Sequence, residues 1–232
     1  MNGIKGKIIL VLGGTGDIGS AIADRLEQEG AIACRHGKDG RFGADITKND
    51  EGKKLVDRVI AEYRRIDAIV NCLSAPVKNQ GFEKKSWDDF LSHLNVQLKA
   101  AVQIEGYVVS FMKTRGGGRL VHIITSYATG DPPSGMADYI AAKYALLGLT
   151  KVMARELGRY RITVNAVSPG FIKNHFTAEV PEKFSEIAIA GTPLGRLTNE
   201  ADVAGTVAFL LSDDASHITG VNLNVSGGDV MA

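Results

Sequence analysis

The stretch that decides the fold is IILVLGGTGDIG, Ile8 to Gly19. Five apolar residues in a row, Ile8 to Leu12, read as a strand buried on both faces, as in a parallel sheet. A glycine loop follows, and then a helical pattern from about Ile18 to Glu29. Gly14, Gly16 and Gly19 satisfy G-x-G-x-x-G in the strand-loop-helix setting that gives this spacing meaning. Glycine lets the backbone turn tightly and approach a pyrophosphate. The helix N-terminus offers free N–H donors and a positive dipole end. The plainer alternative is an ordinary strand-to-helix turn. Asp17 suits a helix start, but its charge is unfavourable beside a pyrophosphate. Its carboxylate is therefore expected to face backbone donors.

Outward from the loop, apolar runs alternate with helical patterns to the end of the chain. Strands are expected at Ala31 to Cys34, Ala68 to Val70, Leu120 to Ile124, Ile162 to Val167 and Val221 to Val225. Helical spacing marks Leu55 to Tyr63, a long helix from Phe90 to Met112, Tyr139 to Tyr160, and Val203 to Leu211. The alternation predicts one domain over residues 1–232, a doubly wound, Rossmann-type α/β sheet with helices on both faces. Between Cys34 and Asp45 there is no room for a crossover, which needs about a dozen residues or more. The helix after strand 2 is expected to be missing or shortened. A short third strand is expected at Phe42 to Asp45.

The chain has 232 residues, enough for a full core. Lys plus Arg is 27 and Asp plus Glu is 26, which argues against bulk nucleic-acid binding. No apolar run has the length of a transmembrane helix, and the N-terminus lacks a signal-peptide layout. Cys34 and Cys72 make neither a disulfide framework nor a metal pattern. A reduced, cytoplasmic setting is expected.

YIAAK places Tyr139 and Lys143 one helical turn apart on one face. An ammonium near a phenol stabilises the phenolate, which suits tyrosine to acid–base work. Such a pair also arises often by chance. The second strand runs out as CRHGKDGR, where Arg35, His36, Lys38 and Arg41 are basic and Asp39 is the one acid. An acid there would repel a ribose 2′-phosphate and a cation would welcome it, so the cluster favours NADP over NAD. A solvated basic loop is the alternative.

With these residues in place, the sequence resembles the short-chain dehydrogenase/reductase family in its short single-domain form, and is similar to its 3-oxoacyl-[acyl-carrier-protein] reductases. The resemblance spans nearly the whole chain, with motifs in the family's order. GGTGDIG comes first, then Ala44 to Ile46, and IVN ending at Asn71. Asn95 follows in the long helix, then Ser126 at the family's usual spacing before Tyr139, then Lys143, and SPGFI at Ser168 to Ile172. The chain departs from the family at Leu12, often threonine, at Asp17, usually glycine, at Cys72 to Ser74, commonly Asn-Ala-Gly, and at Asn174, often threonine.

The resemblance implies a catalytic tetrad. Tyr139 would exchange the proton with the substrate oxygen, Lys143 would hold the nicotinamide ribose, Ser126 would bind the substrate oxygen, and Asn95 would hold a relay water. It implies cofactor contacts at Gly13, Thr15, Asp17, Ile18, Arg35, His36, Lys38, Asp45, Ile46, Asn71, Cys72, Pro169, Gly170, Ile172 and Asn174, besides Tyr139 and Lys143. Substrate would be lined by Tyr127 to Ala137 and by Phe171 to Ala190, where Phe171, His175, Phe176 and Phe184 could wall an apolar pocket. Lys113, Arg115, Arg119, Arg159 and Arg161 could meet an acyl carrier protein, or are simply solvated. A homotetramer through the two long helices is compatible with Ala141, Ala142 and Ala145, as is a packed monomer. The leading reading is an NADP-dependent ketoreductase. The alternatives are an NAD-linked secondary alcohol dehydrogenase and a non-catalytic dinucleotide sensor or scaffold.

Overall fold

Every residue of strand β1 (Ile8–Leu12) is buried. The structure, a computed structural model, describes residues 1–177 and 180–231, with the backbone only at 176. β1 feeds the glycine loop and helix α1 (Asp17–Gln28), which returns to strand β2 (Ile32–Arg35). Then come α2 (Glu51–Tyr63), β3 (Ala68–Asn71), α3 (Trp87–Leu94), α4 (Ala100–Arg115), β4 (Gly118–Ile123), α5 (Ala137–Leu157), β5 (Ile162–Pro169), α6 (Glu182–Gly191), α7 (Glu200–Leu211) and β6 (Asn222–Val225). The six strands form one parallel sheet in the order β2-β1-β3-β4-β5-β6.

Alternate residues of β1 serve opposite layers, as the two-residue period of a strand requires. Ile8, Leu10 and Leu12 pack with Leu55, Val56 and Val59 of α2 and with Ile104, Val108 and Met112 of α4. Ile9 and Val11 pack with Ile22 and Leu26 of α1 and Val203 and Val207 of α7. A third cluster, Ala101, Ile124, Ala128, Leu146, Leu147 and Ala166, braces α5 beneath the turn after β4. The chain steps from β1 to β2 on one side and to β3 on the other. That is the switch point at which such sheets bind ligands, beyond their carboxyl ends.

The structure departs from the sequence reading in three places. The expected strand at Phe42 to Asp45 does not form. Phe42, Ala44 and Ile46 do alternate into the core, which is why the segment reads as a strand. Its backbone, however, bonds locally: the Ala44 N–H donates to Gly37 O at 3.0 Å, and Gly43 N–H to Gly40 O at 3.0 Å. Second, the long helix is broken by a π turn, Asn95–Lys99, between α3 and α4. Such turns are often found at functional sites. Third, the helix α6 forms in the segment expected only as substrate lining; Phe184, Ile187 and Ala188 stand at helical spacing, but Ser185 is its one buried residue.

Candidate active site

The carboxyl ends of β1, β3, β4 and β5 carry Gly13, Asn71, Ser126 and Pro169 to one edge of the sheet. Three close approaches shape the glycine loop. Gly13 has φ +73°, and a Cβ there would meet Cys72 O at 3.1 Å. A Cβ on Gly14 would lie 2.8 Å from Val11 O, and one on Gly19 only 2.1 Å from Gly13 O. Among the described residues no side chain caps α1. A bare helix start behind a glycine cradle fits the pyrophosphate of a dinucleotide. Asp17 does not face backbone donors as expected. Its carboxylate pairs with the His175 ring.

Lys143 is buried on α5 and donates to Ile123 O at 2.8 Å and Leu73 O at 3.5 Å. Burial pushes its pKa down to about 8. Its ammonium lies 5.7 Å from the centre of the Tyr139 ring. Burial pushes the Tyr139 phenol up to about 12, against a lowering hydrogen bond with the Thr125 side chain. The expected activation of the phenol by Lys143 is therefore not the balance the protein groups set. The lysine is turned to two carbonyls, and desolvation dominates the tyrosine.

Ser126 is wholly buried, and its hydroxyl has no hydrogen-bond partner among the described residues. Leaving such a group unpaired costs about 1–3 kcal/mol, so it is poised to meet an added oxygen. Asn95 opens the π turn, on the helix that packs against α5.

The start of α5 is pinned by residues the sequence reading missed. Lys85, its side chain fully buried, pairs with Asp138 at 2.8 Å and donates to Lys78 O at 2.6 Å. Asp138 Oδ1 accepts the Tyr139 N–H at 2.9 Å, and the His93 ring meets the Tyr139 ring edge-on at 5.8 Å. Lys85 and Asp138 lie far apart in sequence, so no local signal links them. Thr125 was also missed; its signal was a second hydroxyl beside Ser126.

The match with known proteins is extensive. The model of the family described as Enoyl-(Acyl carrier protein) reductase matches residues 18–229. The chain belongs to the short-chain dehydrogenase/reductase family. It is 31% identical to the 3-oxoacyl-[acyl-carrier-protein] reductase FabG of Thermotoga maritima, over 98% of this chain and 99% of that protein. It is 31% identical to the (3R)-3-hydroxyacyl-CoA dehydrogenase of Rattus norvegicus, over 97% of this chain and 96% of that one. A crystal structure of the 3-ketoacyl-(acyl-carrier-protein) reductase of Brucella melitensis, complexed with NADH, superposes with a TM-score of 0.91 at 26% identity. That match covers 98% of this chain and 100% of the other.

In this dehydrogenase/reductase, several residues expected at the cofactor are engaged within the protein. Arg35 binds Asp24 and Glu27 of α1, each at 2.7 Å. His36 is buried between Gly13 and Ala44. Gly37 packs on Thr15, where a Cβ would meet the hydroxyl at 2.4 Å. Lys38 is exposed. Asp45 is held in a local turn, accepting the Thr47 hydroxyl at 2.6 Å, which keeps its pKa below the usual carboxylate value. Ile46 and Ile172 are core residues, and Ile18 packs partly against the second core layer.

Asn71 uses both ends of its amide internally: Oδ1 accepts the Leu73 N–H at 3.2 Å, and Nδ2 donates to Glu105 at 3.2 Å. Glu105 in turn meets His122 at 2.8 Å. Cys72 is half-buried, and burial raises its thiol to about 12. Pro169 ends β5, and Gly170 follows where a Cβ would lie 2.9 Å from Thr198 Oγ1. Asn174 donates to Glu200 at 3.3 Å.

On the substrate side, Phe171 and Phe184 meet edge-on at 5.3 Å, and α6 leaves Phe184, Ile187 and Ile189 exposed. The Phe176 side chain lies outside the described residues. Lys113, Arg115, Arg119, Arg159 and Arg161 cluster where α4 and α5 end and β4 and β5 begin. That is the edge opposite the site, about 20 Å away along β4. They do not border the substrate entrance that an acyl carrier would have to reach.

Proposed function

We propose that this chain is an NADP-dependent ketoreductase that reduces a ketone or 3-oxoacyl thioester to the secondary alcohol. The observation that carries this reading is the orphaned Ser126 hydroxyl, on a turn that packs against α5, the helix of Tyr139 and Lys143. The nicotinamide, when bound, supplies the hydride. Ser126 donates a hydrogen bond to the substrate oxygen as charge develops on it. Tyr139 gives that oxygen its proton, and a phenol raised to about 12 is fully protonated at neutral pH, as the reductive direction needs. Lys143 holds the ribose and places its charge near the phenol, and Asn95 orients a relay water.

Gly37 leaves no room for an acid against Thr15, and Lys38 is the cation open to a 2′-phosphate. NAD-linked oxidation of a secondary alcohol is the second reading. It is favoured by the commitment of Arg35 to two acids and by the NADH-complexed relative. Titration with NADPH and NADH, followed by nicotinamide fluorescence, separates the two. The first reading expects tighter NADPH binding that Lys38→Ala abolishes, and NADPH-dependent turnover of acetoacetyl-CoA. Tighter NADH binding overturns the NADP assignment.

The outer faces of α4 and α5 carry Val102, Gly106, Ala141, Gly148 and Val152 exposed. This small-residue, apolar surface supports a homotetramer through the long helices, measurable by light scattering; Ala142 is taken up in the monomer core. No helix among the described residues is long and apolar enough to cross a membrane, and both cysteines are free thiols. These features support placement in the cytoplasm.

A further inference from the structure

We propose that His36 is a positioning residue for the dinucleotide, acting through the backbone N–H of Gly13. The proposal rests on the dinucleotide reading above. The His36 side chain is buried beneath the loop, at 3% exposure. Its Nδ1 lies 3.2 Å from Gly13 N and its Nε2 3.1 Å from Ala44 O. A backbone N–H can only donate and a carbonyl can only accept. The pair of contacts therefore fixes the ring as neutral, with its proton on Nε2. Burial, with Arg58 adding to it, holds the ring below the usual histidine pKa and so in this acceptor form.

The need for such a group follows from the fold. Gly13 follows the last residue of β1, and among the described residues its N–H has no backbone acceptor, while the neighbouring bonds run from Cys72 N–H to Leu12 O and from His36 N–H to Val11 O. The Gly13 N–H is part-buried, and the imidazole Nδ1 is the acceptor that it meets. Beyond β2, the edge strand of the sheet, the segment from Gly37 to Ala44 folds back on itself through the Ala44 N–H to Gly37 O bond. The imidazole bridges that segment to the glycine loop, and Gly37 against Thr15 makes a second point of contact. The segment that follows β2 thus sets the conformation of the loop that would receive the pyrophosphate.

Two near-isosteres separate this role from simple core packing. In His36→Asn the Oδ1 takes the place of Nδ1 and keeps the Gly13 bond. In His36→Gln the terminal amide reaches toward Ala44 and leaves the Gly13 N–H unpaired. The expected result is rescue by Asn, with dinucleotide Kd within about twofold of wild type. Gln should raise Kd and the dinucleotide KM about tenfold, with kcat at saturating dinucleotide retained. Nitrogen NMR of the wild-type protein without dinucleotide reports the tautomer directly and does not depend on how the variants fold. A proton on Nδ1, or equal weakening by Asn and Gln, overturns the proposal. Wild-type protein that binds neither NADPH nor NADH refutes the dinucleotide reading instead, and the loop bond is then decided by the tautomer alone.

Discussion

The two ends of the site are built by opposite means. At the catalytic end, distant segments converge. Lys143 of α5 reaches carbonyls after β3 and at the end of β4, and Lys85, ahead of α3, reaches Asp138. At the other end, after β2, most bonds are local: Asp45 holds Thr47, Ala44 holds Gly37, and Arg35 holds α1. Burial and long-range bonding fix the reacting groups at the first end. At the second, a locally bonded loop follows β2, anchored by buried His36, Phe42, Ala44 and Ile46. Perturbing the first end should therefore affect stability and chemistry together. Perturbing the second should affect dinucleotide preference or affinity with the chemistry intact.

The largest effect is expected from Lys85→Met. It leaves Asp138 buried without its cation and should cost about 3–5 kcal/mol in chemical denaturation. An unchanged midpoint would mean that the start of α5 is held by packing alone. Gly19→Ala comes next. Its Cβ would stand 2.1 Å from Gly13 O, so the loop has to shift, and dinucleotide affinity should fall by at least about tenfold in a fluorescence titration.

The pH dependence of reduction sharpens the contrast. In the proposed mechanism, reduction needs the Lys143 ammonium and the Tyr139 proton. Lys143 is lowered to about 8 and Tyr139 raised to about 12. Reductive kcat/KM should therefore hold up to about pH 8 and decline above it as the lysine loses its charge. A profile flat to pH 10 would contradict that role. The smallest effect is expected from Arg35→Ala. An exposed pairing contributes about 0–1 kcal/mol, and the guanidinium already serves Asp24 and Glu27, so NADPH affinity should change less than with Lys38→Ala.

The sequence was legible where a pattern had one physical cause. β1 and the glycine loop stood out because a strand covered on both faces has to be apolar throughout, and the turn after it has to be free of Cβ atoms. Tyr139, Lys143, Ser126 and Asn95 were picked out by motif order, and the fold brings their elements to one edge. The alternation of Phe42, Ala44 and Ile46 was genuine burial but not a strand, because side-chain period does not say where backbone bonds go. The Lys85–Asp138 pair was invisible, since tertiary contact alone creates it, and Thr125 was signalled only by its hydroxyl beside Ser126. Lys113, Arg115, Arg119, Arg159 and Arg161 were open to a carrier or to solvent, because charge near a helix end does not say which edge of the sheet that end occupies.

The most direct test is single-turnover reduction of acetoacetyl-CoA by NADPH in wild type and Tyr139→Phe, with NADPH binding measured in the same samples. The account predicts turnover in wild type, a loss of at least about a hundredfold in the variant, and NADPH affinity unchanged within a few fold. Turnover that survives the removal of this one hydroxyl would contradict the assignment of Tyr139 as the proton donor.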